Sequence, residues 1–262
     1  MTESSFKDHF SGHADDYARY RPDYPPALFA WLAETAPARD RAWDCATGNG
    51  QAAVALAEHF GEVVATDASE TQVASAFAHP RVTYRVAAAE TSGLEDASVS
   101  LVTVAQALHW FDIPAFWAEA GRVLRPGGVL AVWAYDRFRC APEVDAAVDR
   151  LYTDVVGPYW PPDRKMIDDG YPVRLPFPRV EAPPFAMAKR WTLDEVAGYL
   201  RTWSAVRRYQ AANGRDPVSL VLPELRAAWG EGAREVRWPL FRHVGRKADV
   251  RSGGGGSFSN ER

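Results

Sequence analysis

Apolar and polar positions along the first half of the chain alternate between two periods. Short apolar runs at 41–45, 63–66, 82–86, 99–105 and 129–134 have the length of buried strands, whereas 28–36, 51–60, 70–78 and 113–124 carry the spacing of amphipathic helices. Strand and helix therefore alternate, which predicts an α/β domain with a doubly wound, mostly parallel sheet. A ligand crevice is expected outside the carboxyl ends of its strands. Arg125-Pro-Gly-Gly128 fits as a stop between the fourth of these helices and the fifth strand. Beyond Tyr135 the texture changes: 152–184 is dense in Pro, Tyr and Trp and predicts an insertion with little regular structure, as lids and binding surfaces have. Two helices are expected at 192–209 and 217–229, and a final strand at 235–244, where Pro239 suits an edge or a strand end. The Gly/Ser-rich stretch from Ser252 reads as a frayed tail or an appended linker.

The most informative stretch is Trp43-Asp-Cys-Ala-Thr-Gly-Asn-Gly-Gln51, between the first strand and its helix. Gly48 and Gly50 allow a sharp turn and the close approach of a ligand where a Cβ would collide. The second strand delivers Asp67, beside Ala68, to the sheet edge, where a carboxylate can accept hydrogen bonds from ribose hydroxyls. The same glycines also satisfy the dinucleotide pattern G-x-G-x-x-G/A, with Asp67 roughly 20 residues on, so a nicotinamide-dependent oxidoreductase is an alternative. Asp44 weighs against it: an acidic residue ahead of the turn repels a pyrophosphate and attracts an ammonium group. S-adenosylmethionine offers an adenosine for Asp67, an ammonium for Asp44 and no phosphate. The plainer role for Asp44 is to organise the turn.

The 262 residues suffice for one α/β domain with an insertion. With 47% hydrophobic and 24% charged residues the composition is that of a globular protein, and a net charge of -4 without a basic stripe disfavours nucleic acid. Cys45 and Cys140 lack metal or redox spacing and are expected to be buried small hydrophobes. No signal peptide or membrane-length apolar run is visible, so a cytoplasmic protein is expected.

With these elements placed, the chain resembles class I S-adenosylmethionine-dependent methyltransferases, and more narrowly the trans-aconitate methyltransferase-like group (type 11 methyltransferase domain). The resemblance rests on Asp44 to Gln51, Asp67, Ala88-Ala89-Glu90, Gln106-Ala-Leu-His-Trp-Phe-Asp112 and Arg125-Pro-Gly-Gly128. It rests also on Tyr17-Ala-Arg-Tyr-Arg-Pro-Asp-Tyr-Pro25 and Gly198-Tyr-Leu-Arg-Thr-Trp-Ser204. It implies a Rossmann-like, seven-stranded sheet with an antiparallel last strand and an aromatic-rich lid after strand five. The implied organisation is an N-terminal arm and helix at 1–36, a cofactor-binding core at 37–136, an insertion and helices at 137–232, a last strand at 233–247 and a tail at 248–262. It also implies S-adenosyl-L-methionine as cofactor, held by Tyr20, Arg21, Asp44, Ala46, Gly48, Gly50, Gln51, Asp67, Ala68, Ala89, Glu90 and Gln106. Two positions depart from the pattern. Ala46 replaces the first glycine of the turn, which permits close backbone approach while its φ stays negative, and Ala88 replaces a common acidic residue, which weakens adenine recognition.

Methyl transfer from a sulfonium is governed mainly by alignment. A carboxylate acceptor is already ionised at neutral pH, whereas an alcohol, phenol or amine needs a base, for which His109 is the candidate. The plainer expectation is that His109 fixes its loop or lines the pocket without proton transfer. Tyr17, His109, Trp110, Tyr159, Trp160, Tyr171 and Trp203 are expected to line the acceptor site, and Arg164, Arg174 and Arg207 to offer guanidinium groups for an organic acid. The expectation is a small-molecule acceptor, most consistent with carboxylate O-methylation, for a monomer or homodimer. A cofactor-binding protein without turnover, or an enzyme that breaks another bond of the same cofactor, are further alternatives.

Overall fold

The computed structural model describes residues 22–249. Helix α1 (Pro26–Thr35) leads into β1 (Arg41–Cys45), α2 (Gln51–Ala57), β2 (Glu62–Asp67), α3 (Glu70–Ala74), β3 (Val82–Val86) and β4 (Val99–Ala105). A 3-10 turn (Leu108–Trp110) precedes α4 (Ile113–Val123) and β5 (Leu124–Tyr135). After α5 (Pro142–Arg150) come short helical turns ending in α6 (Lys165–Asp168), then β6 (Ala186–Trp191), α7 (Leu193–Arg201), α8 (Ser204–Asn213), α9 (Leu222–Trp229) and β7 (Arg234–Arg246).

The seven strands form one sheet in the order β3-β2-β1-β4-β5-β7-β6. β1 to β5 run parallel, and β7 lies antiparallel between β5 and β6. The cause is visible in β5: Val129, Ala131, Trp133 and Tyr135 enter one core while Leu130, Val132 and Ala134 enter the other, so the strand is apolar on both faces and must be covered on both. Helices α1, α2 and α7 pack on the first face and α4 on the second.

Three expectations change. β6 and α5 fall where no element was read: the β6 sequence AMAKRW mixes charge and apolar groups because it is an edge strand, whose burial alternates only in part. The single helix expected at 192–209 is two, α7 opening on a Thr192/Glu195 capping box and α8 starting at Ser204, with the break at Thr202 and Trp203. Arg125-Pro-Gly-Gly128 lies within β5 as a bulge, since Val99 pairs with Leu124 but Leu101 with Val129. The segment 152–184 is a chain of short turns, as its Pro content predicts. Among the described residues no helix is long and apolar enough to cross a membrane.

Candidate active site

The turn after β1 is built around two carboxylates. Asp67, at the end of β2 and 8% exposed, accepts the Gly48 amide on Oδ2 and the Ser69 amide on Oδ1, both at 2.9 Å. Asp44, at the end of β1 and 1% exposed, accepts the Thr47 hydroxyl at 2.6 Å and the Thr103 hydroxyl at 2.7 Å. Burial pushes its pKa up to about 6 against these hydroxyls, and the Asp67 charge adds to the rise. Asp44 thus sits behind the turn and organises it through these two hydroxyls. Thr103, whose hydroxyl joins β4 to this carboxylate, was not singled out from the sequence because a threonine in an apolar run reads as strand filler.

The glycines differ. Among the described residues a Cβ on Gly48 (φ +57) would meet only Gln72 Oε1 at 3.9 Å, so they leave the turn open there, whereas a Cβ on Gly50 (φ +85) would lie 2.1 Å from the Tyr84 hydroxyl. Gly48 is where a ligand can approach; Gly50 makes room for Tyr84. Ala46 has φ +54, so the expectation of a negative φ is corrected: this alanine occupies the left-handed region in place of the usual glycine. Ala46→Gly is expected to stabilise the fold by about 0.5–1 kcal/mol, the left-handed penalty less the greater unfolded-state freedom of glycine. A thermal melt checks it, with a rise of roughly 1–4 °C expected and a fall contradicting the assignment.

Several residues expected at the cofactor also brace the fold. The Gln106 amide is committed to the Tyr135 backbone, donating Nε2 to its carbonyl and accepting its N–H, each at 2.9 Å, which ties the ends of β4 and β5 together. Gln106 itself has φ +60. Glu90 Oε1 accepts the Asp112 amide at 2.9 Å, and Asp112 in turn caps α4. Ala89 is buried and Ala68 exposed beside the β2 edge, and Ala88 is exposed. Gln51 Nε2 donates to Asp23 Oδ1 at 3.1 Å, fastening the entering chain to the first turn of α2. Tyr17, Tyr20 and Arg21 lie outside the described residues, as do residues 250–262 of the expected tail.

On the other side of the crevice, the turn after β4 carries His109, whose Nδ1 is buried without a hydrogen-bond partner among the described residues. Burial, and secondarily the Arg164 charge, lower its pKa to about 4, against a smaller upward pull from Asp163. Trp110 stacks beside it, ring centroids 4.7 Å apart, and is 42% exposed. The insertion gathers Tyr152, Trp160 and Trp203 into one aromatic cluster, with centroids 4.7–5.7 Å apart. Tyr159 stands apart on Tyr209 and Asn213, and Tyr171 is fully buried in the core under Leu108. Arg174 lines a cavity of about 460 Å³ with Phe177 and His243. Arg164, expected to receive an acid, is already bound: Nη2 donates to Asp136 at 2.9 Å and Nε to the Tyr152 hydroxyl at 3.0 Å. A guanidinium buried this far from water requires such counter-charges.

The donors suit S-adenosylmethionine. An open approach at Gly48, a carboxylate aligned at the edge of β2 and a buried carboxylate that gains from a nearby cation fit a ribose-bearing cation and oppose a pyrophosphate. Asp67 and the Gly48 turn would hold it, with Asp44 behind. Among the described residues no group of His, Cys, Asp and Glu could hold a metal ion.

Known proteins agree. Residues 43–132 match the family described as a methyltransferase domain. A methyltransferase-named protein of Dictyostelium discoideum is 34% identical over 230 residues, 86% of each chain. The structure of a protein from Anaeromyxobacter dehalogenans, named as a type II methyltransferase, superposes with a TM-score of 0.83 at 50% identity, covering 88% of this chain and 99% of that one. A Mycobacterium tuberculosis protein named as a methyltransferase is 39% identical over 126 residues, 47% of this chain and 51% of its own. The chain belongs to the class I S-adenosylmethionine-dependent methyltransferases with a type 11 methyltransferase domain.

Proposed function

We propose that the protein methylates a small-molecule carboxylate, seated between His109, Trp110 and the aromatic insertion. When bound, S-adenosylmethionine supplies a methyl group on a sulfonium that departs as a neutral thioether. The observation that carries the choice of acceptor is His109. With its pKa lowered to about 4, the ring is neutral at physiological pH and a poor match for taking a proton from an alcohol or amine. A carboxylate asks for no proton transfer. A neutral imidazole, with one buried nitrogen unpartnered, can instead orient it by hydrogen bonding. Trp110, Trp160 and Trp203 would hold the carbon frame, exclude water and fix the line of approach. The resemblance to trans-aconitate methyltransferase-like proteins points the same way.

The test is a panel of organic acids, alcohols and amines incubated with methyl-labelled cofactor. The expected product is an alkali-labile methyl ester. His109→Ala is expected to keep turnover within about tenfold of the parent; a loss of about 100-fold or more with the fold intact would assign a base and a protic acceptor.

A further inference from the structure

The described contacts around Asp136, the first residue after β5, form a closed arrangement that the methyl-transfer chemistry does not call for. Its Oδ1 takes Arg164 Nη2 at 2.9 Å and its Oδ2 takes Arg137 Nη2 at 3.0 Å, so two guanidinium groups bracket one carboxylate. Tyr152 lies between them, with Arg137 4.1 Å and Arg164 5.6 Å from its ring centroid. The Tyr152 hydroxyl donates to Asp168 and accepts from Arg164 Nε. Arg164 also covers the Trp160 ring at 4.9 Å and is itself only 19% exposed. One side chain therefore joins the end of β5, the turn at Leu151–Val155, Trp160 and α6.

The turn that carries Arg164 (Pro162–Arg164) packs against the turn that carries His109. We infer that Arg164 is a positioning residue, which docks the aromatic insertion at the carboxyl end of β5 beside His109 and sets a positive charge against that turn. A guanidinium close to an imidazole opposes a second positive charge, while Asp136 and Asp168 keep the guanidinium itself stable in a half-dry site. The charged and titratable groups around His109 are Arg164 and Asp163 from the facing turn, with Asp136 and Asp168 reached through Arg164. Tyr171 packs against Leu108 with its hydroxyl buried. This inference rests on the proposed acceptor site only for its consequence in turnover, because the charge state of His109 can be read without any acceptor.

The experiment is histidine side-chain NMR across a pH titration of the full chain, with the His109 signal assigned by its loss in His109→Gln. Arg164→Gln is expected to move the His109 midpoint upward by about one pH unit. Arg164→Lys keeps the positive charge and is expected to leave the midpoint low while amide exchange over 151–168 rises, because a lysine cannot serve Asp136 and Tyr152 together. An unchanged midpoint in a folded Arg164→Gln protein overturns the inference. So does an equal upward shift in both variants, which would mean that packing and not charge sets the ring. If Arg164→Gln does not fold, the lysine variant decides by itself: a low midpoint with raised exchange supports the inference, and any other pairing overturns it. Neither readout moves if the acceptor proves to be an alcohol, so failure of the proposed function is seen separately.

Discussion

Asp67→Ala is expected to weaken S-adenosylmethionine binding by about 100-fold, close to 3 kcal/mol, with the fold retained. Two causes add. The carboxylate at the edge of β2 is the group we propose to receive ribose hydroxyls, and hydrogen bonds to a charged acceptor are worth roughly 1.5–3 kcal/mol each. The same carboxylate also holds the Gly48 and Ser69 amides, so its loss loosens the turn against which the ligand rests. Asp67→Asn separates the two. Its single carbonyl oxygen can keep one backbone amide but faces the other with an NH2 group, so binding should fall by an intermediate factor. Calorimetric titration measures affinity, and amide exchange at Gly48 and Ser69 reports the turn. Affinity within about threefold of the parent in the alanine variant would remove Asp67 from the cofactor site.

The fold was largely legible because its central strands are apolar on both faces and separated by helices of the right period. The glycine turn likewise announces itself, since positions 48 and 50 sit between a strand and a helix. What could not be read is which way each side chain spends its hydrogen bonds. Gln106 and Glu90 are expected as ligands from their places in the motif, and the sequence does not show that each also braces a backbone segment from a distant part of the chain. Arg164 looked available for an acid because nothing in the sequence tells that Asp136, 28 positions earlier, meets it. Ala46 at positive φ is of the same kind: identity suggests a relaxed backbone, whereas the turn between β1 and α2 places it in the left-handed region. Edge strand β6 was missed for a different reason, since an edge has only one covered neighbour and its sequence need not be continuously apolar.

Asp44→Asn is expected to move stability and cofactor binding in opposite directions, and pH should separate them. The folded pKa of Asp44, about 6, lies above its ordinary value of 3.8, so folding favours the neutral carboxyl. The contribution of this group to stability is therefore fully present below about pH 4 and is lost as pH rises through 6. Two pH units correspond to about 3 kcal/mol of cost for the ionised form at neutral pH. Asparagine has no such cost, although the Thr47 and Thr103 hydroxyls must turn to serve an amide, which takes back about 1 kcal/mol. The variant should thus be more stable than the parent by about 1–2 kcal/mol at neutral pH, and no more stable near pH 4. Binding runs the other way, because the cost of the buried charge is what a cationic ligand relieves. Affinity for S-adenosylmethionine should fall about tenfold or more in the variant at neutral pH, and the parent should lose affinity as pH drops through 6 while the variant stays level. Urea unfolding and calorimetry between about pH 4 and pH 8 supply both curves. A parent whose affinity is flat across that range, or a variant that binds as well as the parent at neutral pH, would leave Asp44 as a brace for the turn alone. The opposite slopes would mean that the fold keeps an unfavourable charge at the end of its first strand because the methyl donor neutralises it.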